Sequence, residues 1–415
     1  MMRKILYISH SGLPTDAAGV RTFNIGAILE DAGCSVHYIS LERSTAAIRA
    51  RGFEPAEPAD FPFLIEGEDH YRIGDKVFSY LPSAPEAHGK LFAVSEILEL
   101  VTARRAFRRI VEYCDREQPE AIILYNDTYS LTRRLIPFCK KRGVRLYADV
   151  TEWYELSLAQ KLASRIKCFL CEQRLRHLDR RLDGVIAISD YLYRFYTERG
   201  ARVMWLPPLM EMEIKSEARR HSYYPDRSTV NFVYAGAPGG KDILLPFVRA
   251  VQSVNRDGVR VRFDIVGISP SYFEKAEGVS PELETLGIFA HGRLPRERTI
   301  DIVERADFGV LLRHGLRYAR AGFSTKFAEA MCLGTPMLCN PIGGCDTLIT
   351  DGENGLLVDR PDEAALVKLL ERVLEMGDGQ ILDMKNNALR YAEDTFTIRM
   401  WRESVMNFIL SEDRK

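Results

Sequence analysis

No stretch of the 415-residue sequence approaches the roughly 18 consecutive apolar residues that a membrane-spanning helix needs, so the chain is expected to be soluble or to lie against a membrane rather than cross it. At the N-terminus, MMRKILYISHSG places Arg3 and Lys4 before an apolar run, but the run from Ile5 to Ile8 ends at Ser9. That is too short for the core of an export signal, and it reads as a buried first strand. Charge of one sign is also missing, with 57 basic against 58 acidic residues and a net charge of −1, which argues against a general nucleic-acid binder. The eight cysteines form no metal-finger or disulfide framework. Cys168 and Cys171 make one CFLC pair without a second pair or a His at finger spacing, and all eight are expected to be reduced packing residues. The dinucleotide fingerprint G-x-G-x-x-G is absent. No D-x-D-like carboxylate pair, of the kind with which Mg²⁺ is normally held alongside phosphates, sits in a phosphate loop.

What is present is an alternation of strands and helices. KILYIS (4–9) is an apolar run, LPTDAAGVRTFNIGAILEDAG a Gly-containing loop entering a helix that ends at Gly33, and SVHYISLE a second strand. Strand, loop, helix and strand in so short a span make a βαβ unit, which places ligands at the carboxyl ends of its strands. Gly19 lies where the backbone must come close to a ligand or a helix. Residues 45–90 are irregular and rich in Pro, Glu and aromatics, and read as short strands with a site-facing loop. Residues 92–117 are helical by period, EAIILYN (120–126) is a strand, SLTRRLIPFCKKRG a helix closed by Gly143, and VRLYADV (144–150) a strand. TEWYELSL is then a ligand-side loop, 160–182 a basic helix, DGVIAIS a strand capped into a helix at Ser189, and ARVMWLP the last strand of the first half. The polar stretch to Ser228 is a linker. The alternation restarts at STVNFVYAG (228–236) and continues through VRFDIVG, IFAHG, DFGVLLR, TPMLCN and GLLVD, ending in helical segments that contain Trp401. The expected domains are 1–210, 211–395, and a C-terminal helix at 396–415 packing back on the first; at 415 residues two cores are also the natural expectation.

The stretch 313–359 concentrates the chemistry. A strand runs into a polar, Gly-containing loop and then into a helix that Ser324 or Thr325 can cap, and a helix N-terminus is an anion site. Lys326 in the first turn opposes the helix dipole, which is reasonable if a phosphate is bound nearby. Glu329, one turn on, is placed to accept from hydroxyls. Phosphate recognition beside hydroxyl recognition suggests a nucleotide sugar.

On these residues the chain resembles the GT-B-fold glycosyltransferases of group 1, also called glycosyltransferase family 4. The resemblance runs over nearly the whole length and is strongest from Ala306 to Val358, where Glu329 of E-A-M-C-L-G-T-P-M matches a ribose-binding Glu and the pattern L-L-R … S-x-x-K-F-x-E of a subgroup is matched by Arg313, Ser324, Lys326, Phe327 and Glu329. It implies an α/β fold of two Rossmann-like domains facing a cleft. It also implies a retaining, metal-independent transfer from a UDP- or GDP-sugar to a hydroxyl of a saccharide, glycolipid or polyprenyl-linked acceptor, in polysaccharide, glycolipid or glycoconjugate synthesis. Lys241 in the glycine-rich AGAPGGKD, with Gly236 and Gly240, matches the family's pyrophosphate contact; Arg293 at the end of IFAHGR is a further candidate, and Gly343-Gly344 resembles the family's G-G loop. The acceptor-side glycine loop is Ala17-Ala18-Gly19-Val20, and Glu152, Glu155 or His10 is the candidate general base. Two departures stand out: Ala321 replaces a sugar-contacting Glu, leaving Arg313, Arg317 or Arg320 for that side, and Ala237 replaces an Arg. Those losses leave open a catalytically inactive GT-B protein that binds nucleotides or acts as a scaffold. A cytoplasmic location follows, at the inner face of the membrane if contact is made. The basic helix near 161–181 and the Arg pairs 104–105 and 108–109 read first as solvated faces, with attraction to anionic lipid as the alternative.

Overall fold

The structure, a computed structural model, describes residues 3–9, 17–41, 54–56, 69–73, 76–80, 90–211, 217–218, 229–274 and 276–411. It divides into one unit of Met1–Leu209 with Trp401–Lys415 and a second of Met210–Met400.

The first unit is a nine-stranded sheet of β1 (Arg3–Ser9), β2 (Cys34–Ser40), β3 (Glu54–Pro55), β4 (Asp69–Ile73), β5 (Lys76–Tyr80), β6 (Ala121–Tyr125), β7 (Arg145–Val150), β8 (Gly184–Ala187) and β9 (Val203–Trp205), ordered β3-β4-β5-β2-β1-β6-β7-β8-β9. All pairings are parallel except β3 with β4 and β4 with β5. The central strands read as unbroken apolar runs because both sheet faces are covered. Leu6, Ile8, Ile122 and Leu124 meet Ile110, Leu131 and Leu135 of the helices Arg104–Glu117 and Tyr129–Arg142 in one core.

The helix expected over 92–117 is two helices, Lys90–Thr102 and Arg104–Glu117, because Ala103 takes a left-handed conformation at φ 47°. The Glu99 carboxylate accepts from the backbone amides of Arg105 and Ala106, both at 3.1 Å, so the break supplies its own cap. Likewise 160–182 is not one helix: Leu162–Gln173 is followed by a π turn at Arg174–Leu178 and a 3₁₀ turn at Asp179–Arg181. From Trp401 onward, the helix Ile398–Leu410 packs in the first unit, where the Ile409 carbonyl accepts from Arg145 at 2.7 Å and from Tyr147 at 3.1 Å.

The second unit is a six-stranded parallel sheet of β10 (Val230–Ala235), β11 (Val261–Val266), β12 (Ile288–Gly292), β13 (Phe308–Leu311), β14 (Met337–Cys339) and β15 (Gly355–Leu357), ordered β12-β11-β10-β13-β14-β15. Its core contains Phe232, Phe247, Phe263 and Phe308, with Phe232 5.3 Å from Phe308 and Phe247 4.9 Å from Phe263 between ring centroids. The sequence-adjacent strands β10 and β11 lie side by side, and β13 lies on the other flank of β10. The chain therefore reverses direction across β10, and the carboxyl ends of β10 and β13 form the switch point at which doubly wound sheets bind ligands.

Candidate functional site

Leaving β10, the chain turns at Gly236, whose φ of 133° is a conformation that L side chains rarely adopt. A Cβ there would lie 2.4 Å from Lys326 Cε, so the glycine also makes room for that side chain. Gly239 at φ 51° continues the turn, Gly240 is exposed on it, and the amides of Lys241 and Asp242 both donate to the Pro238 carbonyl, at 3.2 and 3.1 Å. The turn is sewn to the segment leaving β13: Ile243 N–H donates to Leu312 O at 2.7 Å, and His314 N–H to Lys241 O at 3.0 Å.

This stitching carries Asp242, whose side chain is 3% exposed, onto two cations. Its Oδ2 lies 2.6 Å from Lys326 Nζ and its Oδ1 3.2 Å from Arg313 Nε. Tyr234 Oη donates to the same carboxylate at 2.9 Å and accepts from Lys326 Nζ at 2.7 Å; the ammonium also donates to Ala237 O at 3.1 Å. Burial lowers the Lys326 pKa even though Asp242 pulls the other way, and burial with the neighbouring Asp242 raises the Tyr234 hydroxyl. The buried Arg313 is fixed along its length. Its Nη1 donates to Ala319 O at 3.4 Å, its amide to Asn340 Oδ1 at 2.8 Å, and its carbonyl accepts from Asn340 Nδ2 at 2.9 Å. Gly343, at φ 75°, closes over it, since a Cβ there would sit 3.3 Å from Arg313 Nη1.

The helix after this loop spans Thr325–Cys332. Ser324 occupies the cap position, yet among the described residues its side chain caps nothing. The Phe327 amide that a serine cap would take donates to the Ser324 carbonyl at 3.1 Å. Thr325 is the first helical residue and half-buried. The unfavourable charge of Lys326 in that turn is balanced within the protein by Asp242, so its placement does not by itself require a phosphate. Glu329 lies 3.1 Å from Arg296 Nη2, whose side chain is 73% exposed, and such an open pair can exchange for ligand hydroxyls at little cost. Lys241 Nζ stands 3.6 Å from the Tyr318 ring centroid. Arg293 is exposed in the bend after β12, three residues before Arg296. Ala321 is fully buried, Arg320 exposed and Arg317 half-buried.

Residues 230–376 match the family model described as Glycosyl transferases group 1. That segment is thus similar to a group 1 glycosyltransferase domain. The D-inositol 3-phosphate glycosyltransferase of Acidothermus cellulolyticus is 28% identical over 214 residues, which is 48% of this chain and 46% of that protein. An uncharacterized glycosyltransferase of Methanocaldococcus jannaschii is 29% identical over 127 residues, 29% of each. The matched segments thus span less than half the length of these curated relatives. In fold, the chain is similar to Anabaena HepE crystallised with UDP, at 13% identity and a TM-score of 0.64 over 98% of this chain and 99% of that one. That fold is the GT-B fold of two Rossmann-like domains.

The matched segment contains Gly236, Gly240, Lys241, Arg293, Arg313, Ser324, Thr325, Lys326 and Glu329. The structure brings Gly236, Arg313 and Lys326 together around Asp242 and sets Glu329 three residues along the helix from Lys326. Asp242, Tyr234, Asn340 and Arg296 are missing from the sequence-derived set. Only Asp242, adjacent to Lys241, carried a local signal.

In the first unit, Ala17–Val20 form the first turn of the helix Ala17–Asp31 rather than a loop, and Gly19 is buried there. His10 lies outside the described residues. Glu152, half-buried on the loop after β7, is hydrogen-bonded to Tyr154, whose hydroxyl is raised by burial first and by this carboxylate second. Beneath that loop, buried Asp149 at the end of β7 accepts from Arg21 Nε at 2.9 Å and from Tyr7 Oη at 2.7 Å. Arg21 Nη1 also donates to the carbonyls of Leu206 and Pro207, at 3.0 and 3.1 Å. Ser189 caps the next helix through Leu192 N–H at 3.3 Å. All eight cysteines are free and buried. Among the described residues no group of three or more His, Cys, Asp or Glu could hold a metal ion, and no helix is long and apolar enough to cross a membrane.

Proposed function

We propose that the protein transfers a sugar from a nucleotide-diphosphate donor, a UDP- or GDP-sugar, to a hydroxyl of a saccharide, glycolipid or polyprenyl-linked acceptor, with retention of anomeric configuration and without a required metal. The observation that carries this reading is the meeting of the Gly236–Asp242 turn with the helix Thr325–Cys332 at the carboxyl ends of β10 and β13, inside the region matched by the family model. Lys241 and the helix N-terminus meet the diphosphate, Glu329 exchanges Arg296 for the ribose hydroxyls, and Asp242 with Arg313 holds Lys326 in place. Lys241, poised over Tyr318, can swing to charge developing on the leaving group. In a front-face displacement that leaving diphosphate helps deprotonate the acceptor, with Glu152 or His10 as the acceptor-side base. We read the enzyme as cytoplasmic and engaged in polysaccharide or glycoconjugate synthesis.

The deciding experiment is a panel of UDP-, GDP- and ADP-sugars, scored first by thermal shift and then by hydrolysis and transfer with the metal chelated. A bound donor stabilises the folded state by mass action. Stabilisation with turnover supports the proposal, whereas stabilisation by nucleotide with no turnover on any donor moves the protein to the inactive, nucleotide-binding class that Ala321 and Ala237 leave open.

A further inference from the structure

A cavity of about 420 Å³ opens in the first unit at the amino ends of β7, β8 and β9. Arg145 is the first residue of β7, Asp183 directly precedes β8 and Arg202 directly precedes β9, and all three line it. Ligands of a parallel sheet gather at the opposite, carboxyl ends, where the loop from Thr151 carries Glu152. β7 is six residues long, so at about 3.3 Å per residue the cavity stands roughly 20 Å from that loop. It is a separate concavity, of a size that holds a small metabolite.

Its charge is one-sided. Lys140, Arg145, Arg180, Arg181 and Arg202 face a single carboxylate, Asp183, in a chain whose net charge is −1. That carboxylate is already engaged, accepting from the Leu146 amide at 2.8 Å. Arg145 donates to the carbonyls of Ile409 and Ser411 and lies 3.6 Å from Glu120, while Arg202 donates to Phe408 O at 2.8 Å and to Asp183 O at 3.2 Å. Neutral carbonyls thus orient Arg202 without cancelling its charge. Lys140 lies in the last turn of the helix Tyr129–Arg142, and Arg180 and Arg181 on the 3₁₀ turn Asp179–Arg181. All three are exposed, and among the described residues none of them forms an ion pair. Glu412 and Asp413, next in sequence after Ser411 on the cavity wall, lie outside the described residues. Between the cations the lining is apolar, with Ile136, Val144 and Leu182 half-buried against the core of the unit. Guanidinium forks match phosphate oxygens in pairs, and half-buried aliphatic carbon matches a ring or hydrocarbon body.

We infer that this cavity binds a small soluble organic phosphate, with Lys140, Arg180 and Arg181 meeting the phosphate and the Ile136, Val144 and Leu182 floor taking its body. The inference does not rest on the sugar-transfer reading, because the cavity lies at the other end of the sheet from the acceptor loop and wholly within the first unit.

The test is calorimetric titration of the full chain with inorganic phosphate, inorganic pyrophosphate and AMP at low salt, in a Lys241→Ala/Glu329→Ala background that removes the proposed donor contacts. Pyrophosphate should bind, AMP should bind more tightly than inorganic phosphate, and Arg180→Glu/Arg181→Glu should weaken pyrophosphate and AMP by about tenfold or more. Both arginines are exposed, so unchanged circular dichroism and melting show that the variant folds. In the wild-type chain AMP should slow phenylglyoxal modification of Arg180 and Arg181 several-fold, as mapped by mass spectrometry. Absence of binding at low salt overturns the inference, as does binding that Arg180→Glu/Arg181→Glu leaves intact. AMP no tighter than inorganic phosphate overturns the assignment of an organic ligand. Binding that appears only in Glu412→Gln/Asp413→Asn overturns it too, and gives the cavity to the chain's own carboxylates.

Discussion

Asp242 Oδ2 lies 2.6 Å from Lys326 Nζ, joining the turn after β10 to the first turn of the helix at Thr325. Because Arg313 shares the same 3%-exposed carboxylate, Asp242 organises two cations rather than one. Removing it leaves both facing each other in a poorly solvated place. Asp242→Asn should therefore cost about 3 to 5 kcal/mol in denaturant-measured stability. Asp242→Asn/Lys326→Met should recover part of that loss, and strict additivity in the double-variant cycle would show that the pair is not coupled.

Gly236 is constrained both by its backbone conformation and by its neighbour. At φ 133° and with a Cβ position 2.4 Å from Lys326 Cε, Gly236→Ala should destabilise by about 1 to 3 kcal/mol and displace Lys326 from Asp242. Chemical denaturation gives the first quantity. If the loss is due to Lys326, Gly236→Ala in a Lys326→Ala background should cost visibly less.

Lys241 and Glu329 carry the proposed donor contacts. Each alanine variant should lose at least about 2 kcal/mol of transition-state stabilisation, read from kcat/KM on the best donor of the panel. Arg296→Ala removes only the exposed partner of Glu329, so its stability should stay within about 0.5 kcal/mol of wild type. Near-normal turnover in Lys241→Ala or Glu329→Ala sinks the donor assignment.

His37 makes a pH prediction away from the site. It is 2% exposed, with Nδ1 2.8 Å from Tyr113 Oη and Nε2 3.1 Å from Ser35 Oγ, and burial pulls its pKa down to about 4. In the unfolded chain a histidine titrates near ~6.5, so as pH falls the unfolded state is protonated first. The contribution is whole above that pH and is lost progressively down to about 4, amounting to about 3 kcal/mol in all. Urea unfolding of wild type and His37→Gln between these pH values checks it: the wild-type curve should fall more steeply.

Much of the architecture was legible because both sheets are buried on their faces, which makes parallel strands such as Ile122–Leu124 and Phe232–Tyr234 read as apolar runs between amphipathic helices. Breaks inside helical patterns were not. Ala103 carries no sequence mark of its left-handed turn, and the Glu99 carboxylate that caps the second helix looks like any surface glutamate.

For the donor region, the sequence alone determined that Lys326 and Glu329 share the start of one helix, since local spacing decides which residues share a turn. It also determined that glycines precede Lys241. Only the tertiary structure decided that Lys326 meets a carboxylate 84 residues away, that Glu329 is held by Arg296, and that Ser324 leaves its capping role to its own carbonyl. Those pairings depend on the order of β10 and β13 in the sheet and on how each loop leaves its strand.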